Sequence, residues 1–335
     1  MYITFAANVF LMSDLKLIRE PIKKELEEFE KHFKSEMKSS VPLLDVITNY
    51  ILRRKGKQLR PTFVLLTSSM LGEVSPSSYT AASLIELLHT ASLIHDDVVD
   101  ESYERRGFFS LNALWRSKIA VLVGDYLLSK GLLLSVEHRE FDLLSIVSEA
   151  VREMSEGELL QLRKSRRLNI TMDEYFEVIR KKTAALIAAC TACGARAVST
   201  DKDVISRMKE FGENAGIAFQ IKDDLFDYNR NGKIGKPTGN DIKEKKMTLP
   251  LIYALQQCTS AEKSKIIHII RHQNKNAKKV DKVLDFVDQY NGLEYAEGQM
   301  RHYKDKAIAI LKSFPQNPAR DSLEQLVNFT VDRKK

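Results

Sequence analysis

Two short acidic motifs in this sequence have the residue types and spacing of a metal site. Residues 95–100 read His-Asp-Asp-Val-Val-Asp, so Asp96 and Asp100 stand four residues apart. On a helix this spacing places both carboxylates on one face, where they repel each other unless a cation lies between them. Mg²⁺ prefers oxygen ligands, commonly one or two carboxylates together with substrate phosphates. For this motif alone, a solvated acidic helix end is the alternative interpretation.

The same spacing occurs a second time. Asp223, Asp224 and Asp227 follow an apolar run at residues 215–221, just as the first motif follows the apolar residues 84–94. Two such motifs, each ending an apolar helix, are harder to explain as solvated helix ends. If the two helices face each other, the carboxylates form a cage for several Mg²⁺ ions, and such a cage suits a diphosphate.

A diphosphate site also requires cations from the protein. The sequence supplies them close to both acidic motifs and in a loop that follows the second one. The candidates are Lys57, Arg60, Arg105, Arg106, Lys181, Lys182, Lys236, Lys245 and Lys246. Each of them could be a solvated charge if taken singly. Their combination with the two acidic motifs favours phosphate binding.

The elements that must position these residues are helices. Apolar residues recur at spacings of three and four along most of the chain, and strand-like alternation is almost absent. We predict an all-α domain of ten or more helices, in which Thr171 and Glu174 form a capping box. The longest predicted helices span residues 75–100, 111–137, 141–167, 171–198 and 202–229. Residues 229–247 form a loop, and loops of this length in compact domains usually have a function.

The composition excludes several classes of protein. Of the 335 residues, 44% are apolar and 29% are charged, which is typical of a folded domain rather than a disordered chain. No uninterrupted apolar run has the length of a membrane span, so we predict none. Three cysteines are too few for a disulfide scaffold, which favours the cytoplasm. Cys190 and Cys193 form a C-x-x-C pair without further zinc ligands, so we interpret them as packing residues.

The organisation is that of one domain with a short extension. Residues 1–12 are apolar but lack the basic segment of a signal peptide, and the amphipathic pattern starts only after Met12. We predict a non-native extension at residues 1–12 and a single domain over residues 13–335.

The net charge is +7, and the basic stretch at residues 271–282 contributes to it. We interpret that stretch as a solvated face, with weak attraction to anionic lipid as the alternative.

Five motifs, in order, make the sequence similar to a known family. They are GKQLRP (56–61), LLHTASLIHDDVVDESYERRG (87–107), KKTAAL (181–186), FQIKDDLFDY (219–228) and GKPTGNDIKEKKMTLP (235–250). Together they resemble the trans-isoprenyl diphosphate synthase family, and the first acidic motif looks most like its long-chain, octaprenyl-type branch. One departure is Lys245, where the family usually has glycine. The resemblance implies long helices around a central cavity and a homodimer.

The resemblance also implies elongation of an allylic diphosphate by isopentenyl diphosphate with two to three Mg²⁺ ions. The implied catalytic carboxylates are Asp96, Asp97, Asp100, Asp223, Asp224 and Asp227, of which Asp96, Asp100 and Asp223 would bind metal. The residues implied to bind isopentenyl diphosphate are Lys57, Arg60, His89 and Arg106. Those implied to bind the allylic diphosphate are Arg105, Lys182, Thr183, Gln220, Lys236 and Lys246. Lys182 and Lys236 would also act in catalysis.

The chemistry of that reaction explains the residue types. Ionisation of the allylic C–O bond releases diphosphate, whose growing negative charge is stabilised by Mg²⁺ and by the cationic side chains. The double bond of isopentenyl diphosphate attacks the allylic cation, and a proton is then lost. No Ser, Cys or His nucleophile is needed.

The residues that precede the first motif bear on product length. Leu88, Ala91 and Ser92 lie one to two helical turns before Asp96. Because Ala91 and Ser92 are small, we predict a deep tunnel beneath the metals and a product longer than C20, in the range C30–C50. Close packing against a neighbouring helix is the alternative. Replacing Ala91 with Phe is predicted to shorten the product.

Four other functions are weighed against this one. A shorter-chain farnesyl or geranylgeranyl diphosphate synthase would share every motif. A terpene cyclase usually has a different second metal motif, and a non-catalytic partner subunit would be expected to have lost carboxylates. A nucleic-acid-binding module lacks support because aromatic residues are not interleaved with the basic ones. We expect a cytoplasmic homodimer with no nucleic-acid partner and at most peripheral membrane contact.

Overall fold

Helices form nearly all the regular structure in the computed structural model, which describes residues 14–53, 56–105, 108–228 and 239–332. Residues 14–18 are helical, and a 3₁₀ turn (Glu20–Ile22) follows them. The main helices are α1 (Lys23–Glu36), α2 (Pro42–Arg53), α3 (Leu59–Leu71), α4 (Pro76–Val99), α5 (Leu111–Glu137), α6 (Phe141–Arg167), α7 (Met172–Ile179), α8 (Ala185–Arg196), α9 (Lys202–Tyr228), α10 (Asn240–Lys243), α11 (Leu249–Gln257), α12 (Ser260–His272), α13 (Ala277–Gln289), α14 (Gly292–Lys312) and α15 (Pro318–Asp332). The all-α prediction is therefore confirmed. The predicted extension at residues 1–12 lies outside the described residues and stays a prediction.

Local sequence signals set several helix starts. The Thr171 hydroxyl accepts a hydrogen bond from the Glu174 backbone N–H at 3.3 Å, and the Glu174 carboxylate accepts one from the Thr171 N–H at 2.9 Å. This is the predicted capping box, and it satisfies two donors that would otherwise lack partners at the start of α7. Ser75 and Ser78 form a similar box at the start of α4, where Pro76 occupies the first turn.

The core has two parts, and α9 passes through both of them. Its first half contributes Met208 and Phe211 to a cluster with α3, α4, α5 and α8. Its second half contributes Ile217 and Ile221 to a cluster with α7, α11, α12, α13 and α14. Because the second acidic motif follows Ile221 directly, the carboxylates end a helix that is anchored along most of its length.

Two glycines bring α8 and α9 into backbone contact. A Cβ atom on Gly216 would lie 2.6 Å from the Cα of Ala184, and one on Gly212 would lie 2.7 Å from the Cα of Ala188. Real Cβ atoms do not approach other atoms this closely, so only glycine permits the contact. The contact fixes the KKTAAL segment against the helix that carries the second acidic motif.

Two local elements differ from the predicted all-helical pattern. A two-stranded antiparallel hairpin, β1 (Glu104–Arg105) and β2 (Phe108–Phe109), follows the first acidic motif. The predicted helix at residues 171–198 is divided by a π-helical turn at Arg180–Ala184. Gly157 of α6 packs against this turn, and a Cβ there would lie 2.8 Å from the Lys182 backbone nitrogen. These elements depend on tertiary contacts, which helical periodicity does not report.

One residue of α5 has a strained backbone. Arg116 has φ 66° and ψ 161°, a combination that only glycine adopts readily, and it kinks the first turns of α5. Arg116→Gly should therefore raise the free energy of unfolding by roughly 1 kcal/mol, because the relief of strain exceeds the entropic cost of glycine. The melting temperatures of Arg116→Gly and of the unmodified protein, measured by thermal unfolding, check this.

The matched control for that substitution is Arg152→Gly. Arg152 is exposed in the interior of α6, where glycine should lower the free energy of unfolding by about 1 kcal/mol. A melting temperature for Arg116→Gly at or below that of the unmodified protein would contradict the assignment of strain.

The helix α5 also has an unusual surface. It is the one helix among the described residues that is long and apolar enough to cross a membrane by length and composition alone. One side of α5 packs along α4, and Asp125 and Lys130 interrupt its apolar sequence. The other side exposes Val121, Leu122, Leu132, Leu133 and Val136. The helix α5 therefore has two apolar sides. Within a single chain, the side that packs on α4 is covered and the other is exposed.

Candidate active site

The three aspartates of the second motif lie at the end of α9 in three different environments. Asp224 is buried, and its Oδ2 accepts a hydrogen bond from the Tyr175 hydroxyl at 2.7 Å. Both carboxylate oxygens of Asp227 accept backbone N–H groups, from Asn240 and Asp241, at 2.9 Å each, so Asp227 caps α10. Asp223 is half-buried and lies on neither of these structural contacts. The hydrogen bonds of Asp224 and Asp227 therefore tie the end of α9 to α7 and α10, and the predicted role of Asp223 as a metal ligand stays a prediction.

A chain of hydrogen bonds links the KKTAAL segment to this motif. The Thr183 hydroxyl donates to Gln220 Oε1 at 2.7 Å, and Gln220 Nε2 donates to Asp224 Oδ1 at 2.8 Å. The chain ends at the buried Tyr175 hydroxyl, which donates to the other oxygen of Asp224. Since each member of the chain has its partners, the amide of Gln220 is held in one orientation.

The lysine of the KKTAAL segment that was predicted to bind phosphate lies on the π-helical turn. Lys182 forms an ion pair with Glu158 of α6, and both side chains are about one-third exposed. The preceding Lys181 forms ion pairs with Glu156 and Glu177 instead. Thr183 on this turn contacts α9 through Gln220, whereas the ion pairs of Lys182 and Lys181 are with glutamates of α6 and α7.

One pocket brings five of the predicted residues together. It lies between α6, α7, α9 and the segment after α10. The predicted residues in its lining are Lys182, Thr183, Gln220, Asp224 and Lys246. Six polar residues that the sequence analysis did not single out also line it: Gln161, Lys164, Ser165, Tyr175, Asp241 and Thr248. Asp241 belongs to a quoted motif and could have been noticed, whereas Tyr175 lies 49 residues from its partner Asp224 and carries no sequence signal.

Carboxylates are crowded and partly desolvated in this pocket. Burial raises the pKa of Asp224 to about 7. Burial, followed by repulsion from Asp227, raises the pKa of Asp241 to about 6, although Lys246 acts in the opposite direction. Neighbouring negative charges that raise each other's pKa in this way would be stabilised by an added cation.

The first motif ends α4, and among the described residues none of its aspartates lines this pocket. Asp97 is buried, Asp96 is half-buried and Asp100 is exposed at the helix end. Burial alone would lower the pKa of Lys246, but Glu244, Asp241 and Asp100 together raise it above the ordinary value. The charge of Asp100 in the first motif therefore acts on Lys246, which lines the pocket.

The four residues predicted to bind isopentenyl diphosphate are only partly described. Lys57 is exposed, with Nζ 5.7 Å from the Phe329 ring centroid. Arg60 lies in the first turn of α3, and its charge acts on buried Cys190, whose pKa burial nevertheless raises to about 12. His89 is buried in α4. Arg106 and Lys236, together with the side chain of Arg105, lie outside the described residues.

The residues predicted to set chain length lie along α4. Leu88 packs on α5, where a Cβ on Gly131 would lie 3.4 Å from Leu88 Cδ2. Ala91 is buried, and helical spacing places it on the same stripe of α4 as Leu88. Ser92 is half-buried on the stripe of Asp96, and its hydroxyl donates to the His89 carbonyl at 2.9 Å. Their effect on chain length stays a prediction.

Comparison with known proteins decides the family. The polyprenyl synthetase family model matches residues 41–287. The chain belongs to the polyprenyl synthetase family. The octaprenyl diphosphate synthase of Escherichia coli (strain K12) is 35% identical over 299 residues, which cover 89% of this chain and 92% of that protein. The predicted family is thereby confirmed.

Solved structures of this family share the fold closely. The crystal structure of a decaprenyl diphosphate synthase from Rhodobacter capsulatus aligns with a TM-score of 0.90 at 32% identity, covering 96% of this chain and 99% of that one. A geranylgeranyl pyrophosphate synthase from Bacteroides thetaiotaomicron aligns with a TM-score of 0.81 at 36% identity, covering 96% and 100%. The all-α prenyl synthase fold and the assignment to prenyltransferases are confirmed.

The donor set of this polyprenyl synthetase fits Mg²⁺. Among the described residues, no three His, Cys, Asp or Glu side chains already converge on one metal position. The groups at the pocket are carboxylate oxygens, and their mutual repulsion is the feature that a hard cation relieves. Asp96, Asp100 and Asp223 would hold the ions, because Asp97 and Asp224 are buried and Asp227 caps α10.

The buried Asp224 makes a testable contribution to stability in the absence of metal. Its pKa is about 7 in the folded protein and about 3.9 in an unfolded chain, so the folded state binds more protons between these values. The contribution of Asp224 to the free energy of unfolding should therefore fall as pH rises from about 4 to 7. Asp224→Asn should remove this fall, as measured by urea unfolding in EDTA at several pH values.

The control is Asp203→Asn, since Asp203 is exposed and pairs with Arg207 at 3.5 Å. It should retain the pH dependence of the unmodified protein. The same pH dependence in Asp224→Asn and in the unmodified protein would show that Asp224 does not carry this effect.

Proposed function

We propose that this protein is a Mg²⁺-dependent all-trans polyprenyl diphosphate synthase. It condenses isopentenyl diphosphate onto an allylic diphosphate and makes a product longer than C20. The observation that carries the proposal is the pocket that is lined by Lys182, Lys246 and the hydrogen-bonded carboxylate of Asp224. The charge of Asp100 in the first motif also acts on Lys246. The names of the relatives from Escherichia coli and Rhodobacter capsulatus support the long product.

In this proposal the lysines bind the allylic diphosphate. Lys182 and Lys246 line the pocket, and their charges stabilise the leaving diphosphate as the C–O bond ionises. When bound at Asp96, Asp100 and Asp223, Mg²⁺ supplies further positive charge to the same group. Arg105 and Lys236 join this set by their place in the motifs.

The uncharged side chain of Gln220 acts on the allyl group of the substrate. Gln220 is held by Thr183 and Asp224, so its carbonyl oxygen does not need to reorient when positive charge develops on the allyl group. Isopentenyl diphosphate would bind on the α3–α4 side, at Lys57, Arg60, His89 and Arg106. The two substrates would then lie on opposite sides of the first acidic motif.

We propose further that two copies form a homodimer through α5 and α6. Their exposed apolar side chains include Val121, Leu122, Leu132, Leu133, Val136, Phe141, Leu159 and Leu162. A single chain leaves this surface open to water, and monomeric proteins rarely expose such large apolar patches. Three free cysteines agree with the cytoplasm as the compartment. Sedimentation equilibrium of Leu122→Glu/Leu133→Glu tests the dimer, since both charges should dissociate it.

A C20 synthase is the second candidate. It is favoured by the 36% identity to the geranylgeranyl pyrophosphate synthase from Bacteroides thetaiotaomicron. A cyclase and a non-catalytic subunit are disfavoured, because this chain has all six motif aspartates and the residues that match the isopentenyl site.

Product analysis tests the proposal. The purified protein is incubated with labelled isopentenyl diphosphate, Mg²⁺ and, separately, C5, C10, C15 and C20 allylic starters. The dephosphorylated products are then separated by chain length. A ladder that ends beyond C20 is the expected result. A ladder that ends at C15 or C20 supports the second candidate, and cyclic hydrocarbon formed without isopentenyl diphosphate contradicts both.

A further inference from the structure

Nearly all the excess positive charge of the chain lies in one short stretch. Residues 263–282 contain seven Lys or Arg residues and a single acidic residue, Asp281, which gives 7 − 1 = +6. The whole chain has 52 − 45 = +7. The stretch covers most of α12, the corner after it and the first part of α13. We call its solvent-facing cations the basic face.

The basic face is turned to solvent and is not used to hold the fold together. Its exposed members are Lys263, Lys265, Arg271, Lys275, Lys278 and Lys282. Within the part of the chain that the structure describes, none of these six forms an ion pair, whereas Lys31, Lys181 and Lys209 do. Ile266, Ile270 and Val283 bury the opposite sides of the same two helices. Six cations therefore remain available to an anionic partner.

The corner between α12 and α13 is joined to the segment that lines the pocket. Asn274 is buried there, and its side-chain amide donates to the Lys243 carbonyl at 2.5 Å. A Cβ on Gly239 would lie 2.5 Å from Cγ1 of Val280, so the Val280 side chain of α13 packs closely on the Gly239 backbone. Gly239 and Lys243 flank Asp241 of the pocket lining. The basic face thus lies directly behind one wall of the candidate active site.

We propose that the basic face docks this enzyme on an anionic bilayer surface. The inference rests on the proposed function, because a polyprenyl diphosphate longer than C20 is a lipid that must pass from the protein into a membrane. Each exposed cation near an anionic surface strengthens binding about fivefold, and added salt screens this attraction. Nucleic acid fits less well, because residues 263–282 contain no Phe, Tyr or Trp on which bases could stack.

Vesicle co-sedimentation of the full-length protein tests the proposal. The vesicles contain phosphatidylcholine alone or phosphatidylcholine with phosphatidylserine, at low and at high salt. The expected result is binding to the anionic vesicles at low salt only. A variant with Arg271, Lys275, Lys278 and Lys282 all changed to Gln should bind them roughly 10²–10³-fold more weakly.

The matched control changes four exposed lysines of α1 to Gln: Lys23, Lys24, Lys31 and Lys34. This control variant loses the same net charge, but from a helix that packs on the other of the two core clusters. It should bind vesicles like the unmodified protein. Equal weakening in both variants, equal binding to uncharged vesicles, or displacement from the vesicles by single-stranded RNA would each overturn the proposal.

Turnover of a C15 starter without vesicles separates this inference from the proposed function. Both variants should show the turnover of the unmodified protein, since none of the eight residues lines the pocket. Normal turnover with unaltered vesicle binding by the Arg271/Lys275/Lys278/Lys282 variant would overturn docking and leave the synthase proposal intact. Absence of turnover in the unmodified protein would contradict the synthase proposal, and with it the inference, whatever the vesicles show.

Discussion

Asp223→Asn and Asp96→Asn should each lower the rate of product formation by at least about 10²-fold. Both side chains are half-buried at the ends of α9 and α4, where we propose that they hold Mg²⁺. An amide has the same shape but no charge, so it binds Mg²⁺ weakly and leaves the departing diphosphate less well stabilised. Initial rates measured over a range of Mg²⁺ concentrations check this, and excess EDTA should abolish the reaction of the unmodified protein.

The control for these substitutions is Asp305→Asn. Asp305 is exposed on α14 and should retain the full rate. The free energy of unfolding without metal should change little in all three variants, because the hydrogen bonds that Asp224 accepts come from Tyr175 and Gln220. A full rate for Asp223→Asn at low Mg²⁺ would remove this residue from the metal site.

Ala91→Phe should shift the product toward C20 or shorter. The stripe of α4 that contains Ala91 faces α5 across Gly131 and Gly124, so small residues line both sides of this seam. A growing prenyl chain that runs along the seam would meet the new ring after few condensations. Separation of products by chain length, with the same starter for each protein, measures the shift.

Two further measurements decide between a tunnel and a packed helix contact. They are the products of Ser92→Phe and the melting temperatures of both variants. Ser92 is half-buried one turn before Asp96, so a ring there fits with less repacking than at the buried Ala91. A tunnel predicts shorter products from both variants with near-normal rates. If the seam is only a packed helix contact, Ala91→Phe should lose about 1–3 kcal/mol of stability and both variants should leave the product distribution unchanged.

Helix positions were readable from the sequence because they depend on local patterns. The predicted segments at residues 111–137 and 141–167 coincide with α5 and α6, and the capping box at Thr171 forms as expected. Each of these results follows from apolar spacing or from a cap, both of which are present in a short window of sequence. Five residues of the pocket, Lys182, Thr183, Gln220, Asp224 and Lys246, were found by the same route, because each belongs to a short motif.

Features that depend on distant contacts were not readable. The π-helical turn at residues 180–184 packs against Gly157, and the burial of Asp224 depends on Tyr175 of α7. The sequence also presents the three aspartates of the second motif as equivalent. Only the structure shows that Asp227 caps the N-terminus of α10 and that Asp224 is hydrogen-bonded to Tyr175 and Gln220.

The glycine contact between α8 and α9 has a consequence for how enzymes of this kind can change. At Gly212 and Gly216 the two backbones touch, so no side chain is available whose replacement could widen or narrow the gap. The spacing between the segment that carries Lys182 and the helix that carries Asp223 is therefore fixed. The α4–α5 seam, in contrast, contains side chains of α4, among them Leu84, Leu88 and His95, that pack over Gly131 and Gly124 and can be exchanged one at a time. Under the proposed tunnel, such exchanges would lengthen or shorten the product while the residues that act in ionisation stay the same.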